Sequence, residues 1–376
     1  MRYDAIIIGI GGMGSATACQ LAQRGQRVLG LEQFNIAHEM GSSYGVTRII
    51  RLAYYENPAY VPLLRRAYEL WDRLEKGAGA KLFYNTGSID AGPEDSQVFA
   101  GSLESCRVHD LPHRVLTSAE LTDAYPGYRL PPETMAVFQP QGGFLTPERC
   151  IEAYTAAAEA HGAEIHTGER VLDWEPTPDG VRVHTARGTY EADKLILTSG
   201  AWVGKLLPEL APVAVPERQV LIWTALKRPE FFTPERFPVF NLLVEEGRFY
   251  GFPQFQVPGF KYGMWHHLNQ VVDPDTMDRA THPEDEALLR TLAERYFPDA
   301  AGATLAMKAC MFTNAPDEDF ILDTHPNYPQ VVIGSACSGH GFKFCSVVGE
   351  ILADLAMKGE TAHEIGFLRL KRFTHV

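Results

Sequence analysis

The chain opens on an apolar, β-branched run from Tyr3 to Ile8, of buried-strand length, and turns helix-like from Ser15 to Arg24, where Ala, Leu and Gln dominate. Arg27 to Leu31 reads as a second strand ending in Glu32. In residues 60–76, Leu63, Leu64, Tyr68, Trp71 and Leu74 recur at helical spacing with charges between them, which predicts an amphipathic helix. From about 78 to 145, glycine and proline punctuate short strand-like pieces. Thr146-Pro147-Glu148-Arg149 then carries helix-start signals, and that helix runs to about Gly162. Strands follow at 163–166, 171–174 and 181–184, the last two joined by the turn 177–180, and another runs from Tyr190 toward Leu197. Residues 216–320 are rich in proline and aromatics, with strand-length runs at Val220–Thr224, Arg248–Phe252 and Tyr262–His267, which predict a mixed or antiparallel sheet. A strand at Val331–Gly334 and a helix at Val347–Met357, ending near Gly359, return the chain to an α/β pattern.

At 376 residues the chain is long for a single core, so two domains are expected. The alternation assigns 1–80, 145–215 and 321–376 to a discontinuous α/β domain, and 81–144 with 216–320 to an inserted one. Apolar residues make up 45% and charged residues 22%, an ordinary globular composition. A net charge of −13 argues against nucleic acid or an anionic membrane as partner, since both need a positive field. Six cysteines without a C-x-x-C pair indicate a reducing compartment, and with no cleavable leader pattern after Met1 the expected location is the cytoplasm. Residues 5–23 lack charge, but are too glycine-broken and polar for a membrane span.

Between the first strand and its helix lie Gly9, Gly11 and Gly14 in G-x-G-x-x-G spacing, with Gly12 as an extra glycine. Gly9 permits a tight turn, Gly11 lets the backbone approach a pyrophosphate, and Gly14 allows close helix–strand packing. The helix N-terminus offers free N–H groups to phosphates, and Glu32 is placed to accept from ribose hydroxyls. An acid there favours FAD or NAD over NADP, and the motif does not separate those two. The expected fold is thus α/β, a discontinuous Rossmann-type dinucleotide domain with an inserted substrate domain. Ile196-Leu197-Thr198 followed by Gly200 is either a second backbone approach to the cofactor or a plain strand-end turn.

Metal and acyl-enzyme chemistry find no support: His266 and His267 are adjacent and diverge, and neither H-E-x-x-H nor G-x-S-x-G occurs. Three other stretches stand out. In Gly41 to Arg51, Arg48 and Arg51 flank Ile49 and Ile50 and so border a core, where a guanidinium must find an anion. Cys310 sits in an apolar neighbourhood, where a cysteine is ordinarily a small hydrophobe. Gly334 to Cys345 is a strand-end glycine loop leading into a helix and carrying Lys343; it reads as a second anion site or as a helix cap with a solvated lysine.

Together with the glycine fingerprint, Thr47-Arg48-Ile49-Ile50-Arg51, Lys308-Ala309-Cys310-Met311, Pro316 to Phe320 and Ser338-Gly339-His340-Gly341-Phe342-Lys343 resemble the monomeric sarcosine oxidase and N-methyltryptophan oxidase family of covalent flavoproteins, almost end to end. The resemblance implies FAD joined to Cys310 as an 8α thioether. It implies that Arg51 and Lys343 hold the substrate carboxylate, that Arg48 lies nearer the flavin, that Lys261 activates oxygen, and that Tyr250 is an active-site tyrosine. Further cofactor contacts implied are Ser43, Thr47, Val171, Gly200, Gly339, Gly341 and Phe342, beside Gly9, Gly11, Gly12, Gly14 and Glu32. The implied reaction is oxidation of a secondary amino acid, sarcosine first, by O2 to an imine and hydrogen peroxide. The imine then hydrolyses to formaldehyde and glycine. A monomer acting on a small amino acid is expected, without metal, nucleic acid or membrane.

Two positions depart from the family pattern. Its active-site histidine falls on Trp265, leaving His266 next along as the candidate. Phe312 stands where sarcosine-specific members carry tyrosine. Larger or cyclic substrates such as N-methyltryptophan, proline or pipecolate are therefore the alternative. The glycine motif alone would also serve an NAD-dependent dehydrogenase, and a noncatalytic flavin-holding subunit is the third reading.

Overall fold

A computed structural model describes residues 2–335 and 337–373; Ala336, within the glycine loop, lies outside them. Five strands form a parallel sheet in the order Glu164–His166, Val28–Leu31, Arg2–Ile8, Thr189–Leu197 and Val331–Ser335. Ile321–Thr324 adds an antiparallel edge, and the hairpin Val171–Thr177 and Gly180–Thr185 pairs with the outer half of Thr189–Leu197. The sheet is covered on both sides. Along the first strand Ala5 and Ile7 enter the core beneath the helices, while Ile6 and Ile8 enter the opposite one, as period-two alternation requires. The helices Gly12–Gln23, Pro147–Ala160 and Cys345–Lys358 pack together on the first face.

The register aligns Ile8 with Leu31 and Leu197, and Leu197 with Ile333. Gly9, Glu32, Thr198 and Gly334 therefore emerge side by side at the carboxyl edge of the sheet. The chain runs outward from the first strand on one side and from Thr189–Leu197 on the other, so the reversal point lies between them. That is where open α/β sheets bind ligands.

A second sheet has eight strands in the order Thr304–Asn314, Val215–Thr224, Phe260–Met264, Gly247–Phe252, Val239–Val244, Ser88–Pro93, Thr134–Gln139 and Arg114–Thr117. All its neighbours are antiparallel except Val239–Val244 with Ser88–Pro93, so it is mixed, as expected. One face is an aromatic core built on Phe240, Phe249, Phe260, Tyr262 and Phe297. Alternation turns Tyr250, Lys261 and Cys310 to the other face, where Cys310 packs with Tyr44, Leu221 and Trp223. Phe83–Asn85, Gly143–Leu145 and Arg48–Ile50 form a small three-stranded sheet that carries Arg48.

Several expectations are corrected. The run 262–267 is not one strand: pairing stops at Met264, and His266 takes a left-handed conformation that breaks it. The helix Pro283–Tyr296 lies within the stretch read only as sheet, and Ser102–Val108 and Ser118–Ala124 are short helices between the strand-like pieces. Among the described residues, no helix is long and apolar enough to cross a membrane.

Candidate active site

A cavity of about 420 Å3 opens along the carboxyl edge of the parallel sheet and ends against the inner face of the second sheet. That volume is within the usual range for a small-molecule site. At one end the glycine turn forms the wall. Gly9 has φ 92°, and a Cβ there would meet Thr198 O at 2.7 Å; a Cβ on Gly14 would overlap Gly9 O. Gly14 is thus a packing residue and not part of the wall, whereas Gly9, Gly11 and Gly12 line it. A Cβ on Gly11 would meet nothing, so that position faces open space.

The helix starting at Gly12 has no side-chain cap and no acid in its first turn, which leaves its N–H groups and positive dipole end free for an anion. Glu32 lies on the same wall, with Oε2 accepting from Ile10 N–H at 2.9 Å and Oε1 from Phe34 N–H at 3.0 Å. The backbone fixes its direction and leaves lone pairs for further donors. Val171 and Gly200 complete this end, beside Trp202, which the sequence did not single out.

Toward the second sheet the wall is made by Ser43, Arg48, Phe312, Gly339, Gly341 and Phe342. Ser199 Oγ and Thr313 Oγ1, on residues of the same wall, are buried with no hydrogen-bond partner among the described residues. Buried orphan hydroxyls are costly, and both fit a polar ligand that fills the space between them. Arg48 donates to Thr47 O at 2.9 Å and Ser42 O at 2.7 Å, partners that leave its charge uncompensated.

Behind this wall sit Cys310, Lys261, Tyr250 and Thr47. Cys310 is 1% exposed; burial pushes its thiol up, while Arg48 and Lys261 pull it down. It shares a strand face with wall residue Phe312. Lys261, 3% exposed, donates to Gly45 O at 2.6 Å and to Thr47 O and Oγ1 at 2.9 and 2.8 Å. Burial, and then Arg48, hold its ammonium well below the ordinary lysine range. The phenol of Tyr250 is pushed up by burial.

Arg51 and Lys343 are also behind the wall, and they come together over Tyr54, with Arg51 Cζ 4.4 Å and Lys343 Nζ 5.2 Å from its ring centroid. The guanidinium, 1% exposed, is not without an anion. Nη2 donates to both oxygens of Glu56 at 2.8 Å, and Nε lies 3.7 Å from Asp90. The anion that a core-bordering guanidinium must find is supplied from within the chain, by Glu56 five residues on and by Asp90. Lys343 donates to His340 O at 2.8 Å, and burial followed by Arg51 brings its ammonium down to about 7.

His266 is clamped, with Nδ1 2.9 Å from Glu217 and Nε2 3.0 Å from Glu318, and these hydrogen bonds raise it to about 9. Both ring nitrogens are occupied by carboxylates away from the cavity wall. Its neighbour Trp265 instead reaches the site, edge-on to Phe312 and stacked on His340. Glu56, Asp90, Ser199 and Thr313 were not singled out by sequence reasoning: the first, third and fourth lie within five residues of positions that were, where neighbourhood gives no role, and Asp90 is brought to Arg51 only by the fold.

The family model for FAD dependent oxidoreductases matches residues 4–355. A monomeric sarcosine oxidase of Bacillus sp. (strain NS-129) is 43% identical over 377 aligned residues, covering 99% of this chain and 97% of that one. N-methyl-L-tryptophan oxidase of Yersinia pestis (strain Pestoides F) is 36% identical, covering 99% and 100%. Among solved structures, NikD, an unusual amino acid oxidase essential for nikkomycin biosynthesis, superposes with a TM-score of 0.84 at 27% identity, over 98% of this chain and 97% of that one.

Proposed function

Because the chain belongs to the family of FAD dependent oxidoreductases, we propose that it oxidises a secondary, N-methyl amino acid, sarcosine first, with O2. The products are an imine and hydrogen peroxide, and the imine hydrolyses to formaldehyde and glycine. Similarity to relatives named monomeric sarcosine oxidase supports the substrate class and a monomer. The cytoplasmic setting belongs to the same proposal.

The observation that carries this reading is the pair of buried cations, Arg51 and Lys343, over one tyrosine ring beyond the wall formed by Arg48 and Phe312. A buried arginine–lysine pair suits a carboxylate, because a guanidinium fixes its orientation and an ammonium adds charge. In the resting protein Glu56 occupies Arg51, and the substrate acid replaces it.

The chemistry FAD supplies when bound is acceptance of two electrons from the C–H bond beside nitrogen and their delivery to oxygen. Gly9, Gly11, Gly12 and the helix N-terminus hold the pyrophosphate, and Glu32 the ribose. Val171, Gly200, Gly339, Gly341 and Phe342 line its length, with Gly14 closing the turn behind. Ser43, Thr47 and Arg48 hold the isoalloxazine end, and Cys310 tethers it as a thioether. Lys261 would present a fixed cation for the oxygen half of the reaction. Tyr250 and Phe312 bound the substrate space, and His266 serves as a clamp for the turn behind Trp265.

A peroxide-coupled screen of sarcosine, N-methyltryptophan, proline, pipecolate and glycine tests the reaction. Sarcosine is expected to give the largest signal, and no peroxide from any of them would overturn the reading. The absence of a hydroxyl at Phe312 favours the larger or cyclic amines as the second reading, and the same screen ranks them. Acid precipitation tests the tether: colour should stay in the parent pellet and leave with the supernatant in Cys310→Ala. A colourless parent pellet would remove the thioether.

A further inference from the structure

The loop that delivers Arg48 contains a strained turn. Thr47 N–H donates to Gly45 O at 2.9 Å around Val46, whose φ is 75°. Three-residue turns of this hand are rare, and a β-branched residue at the centre adds to the cost. Such a conformation persists only where its surroundings over-determine it. Two side chains of opposite charge do so here. Glu148, in the first turn of the helix Pro147–Ala160, accepts through Oε1 from the N–H groups of Gly45 at 2.6 Å and Val46 at 3.0 Å. From the other side Lys261 Nζ donates to Gly45 O, Thr47 O and Thr47 Oγ1. The anion takes the donors of the turn and the cation takes its acceptors.

We propose that Glu148 is a positioning residue for the oxygen half of the reaction, holding the Lys261 ammonium in place and charged through the 45–47 turn. This rests on the reading of Lys261 as the oxygen-activating cation. A plain helix acid would need only the N–H groups of its own first turn, yet Glu148 spends one oxygen on two amides of a loop a hundred residues away. The charged and titratable groups facing Lys261 are Arg48, Cys310 and Glu148, and its rings are Phe252 at 4.3 Å and Trp223 at 5.8 Å. Burial and Arg48 favour loss of its proton, whereas Glu148 opposes that loss. Without the Glu148 charge, Lys261 gives up its proton at lower pH.

The test uses the holoenzyme and three variants. Glu148→Gln keeps an oxygen for the two amides and removes the charge; Glu148→Ala removes both; Lys261→Met removes the cation. Each enzyme is reduced anaerobically with sarcosine and mixed with O2 across a range of pH, and hydrogen exchange is measured over residues 42–48. Lys261→Met should reoxidise more slowly on the order of 10²–10³-fold. Glu148→Gln should be slowed about tenfold, the effect of one pKa unit, with its rate falling at lower pH than in the parent while Gly45 and Val46 stay protected. Glu148→Ala should also lose that protection. Reoxidation of Glu148→Gln at the parental rate and pH profile, with Lys261→Met slow, would overturn the proposal alone. A parental rate in Lys261→Met would overturn it together with the oxygen-site reading.

Discussion

Two arginine–lysine pairs border the site, buried except for the half-buried Arg48, and they differ in what compensates them. Among the described residues, Arg48 and Lys261 hydrogen-bond only to carbonyls and a hydroxyl of the 42–47 loop. Arg51 is held by Glu56 with Asp90 nearby, and Lys343 shares that environment. Burying a cation without a carboxylate partner is expensive, so the first pair keeps a positive field pointed at whatever lies between it and the cavity. The second pair already holds an anion. In the proposed function, a fixed charge for a transient species and a charge that exchanges its anion for a substrate acid call for these two different solutions.

The comparison breaks first at Arg51. Arg51→Met leaves Glu56 and Asp90 buried without their cation, which should cost about 3 kcal/mol or more of stability, read as a lowered Tm. It should also lower kcat/KM for sarcosine on the order of 10²-fold. If kcat/KM is unchanged, Arg51 does not bind the substrate acid.

Glu56→Gln acts in the opposite direction, because it removes the competing anion. Acetate, a carboxylate without an amine, should bind about tenfold tighter, measured as its inhibition constant against sarcosine. Weaker inhibition would show that Glu56 supports the acid site and does not occupy it.

The smallest expected effect is a pH slope. Burial and Arg51 bring Lys343 down to about 7, so it is protonated below that pH and neutral above it. Acetate inhibition should therefore weaken as pH rises above 7, by up to about tenfold per unit, and Lys343→Met should flatten the slope. Lys261→Met should leave the slope as in the parent, since that cation belongs to the other pair; a change there would mean that the two regions act as one.

Much of the cofactor half was legible because its signals are local. Gly9, Gly11 and Gly14 fall within six residues: Gly9 makes a left-handed turn, Gly14 packs against Gly9 O, and Gly11 faces open space. The helix Pro283–Tyr296 was also readable: Pro283 at its start and Glu284, Asp285 and Glu286 in its first turn are helix-start signals, overlooked in a stretch judged by its aromatics. His266 shows the limit of adjacency. It lies five residues after Lys261, but its left-handed backbone turns the ring to Glu217 and Glu318.

The primary structure alone dictated the strand–turn–helix that receives a dinucleotide, because glycine conformations and helix N–H groups are properties of neighbours in the chain. The alternation that turns Lys261 away from the Phe260–Tyr262 core came only with the observed strand Phe260–Met264, since the sequence placed that strand at Tyr262–His267. Tertiary structure decided where the charges end. Glu56 and Asp90 on Arg51, Glu148 on the strained 45–47 turn, and Trp265 against Phe312 are pairings across as many as a hundred residues. In a low-dielectric interior the partner of a buried ion sets its behaviour, and no spacing within a motif identifies that partner.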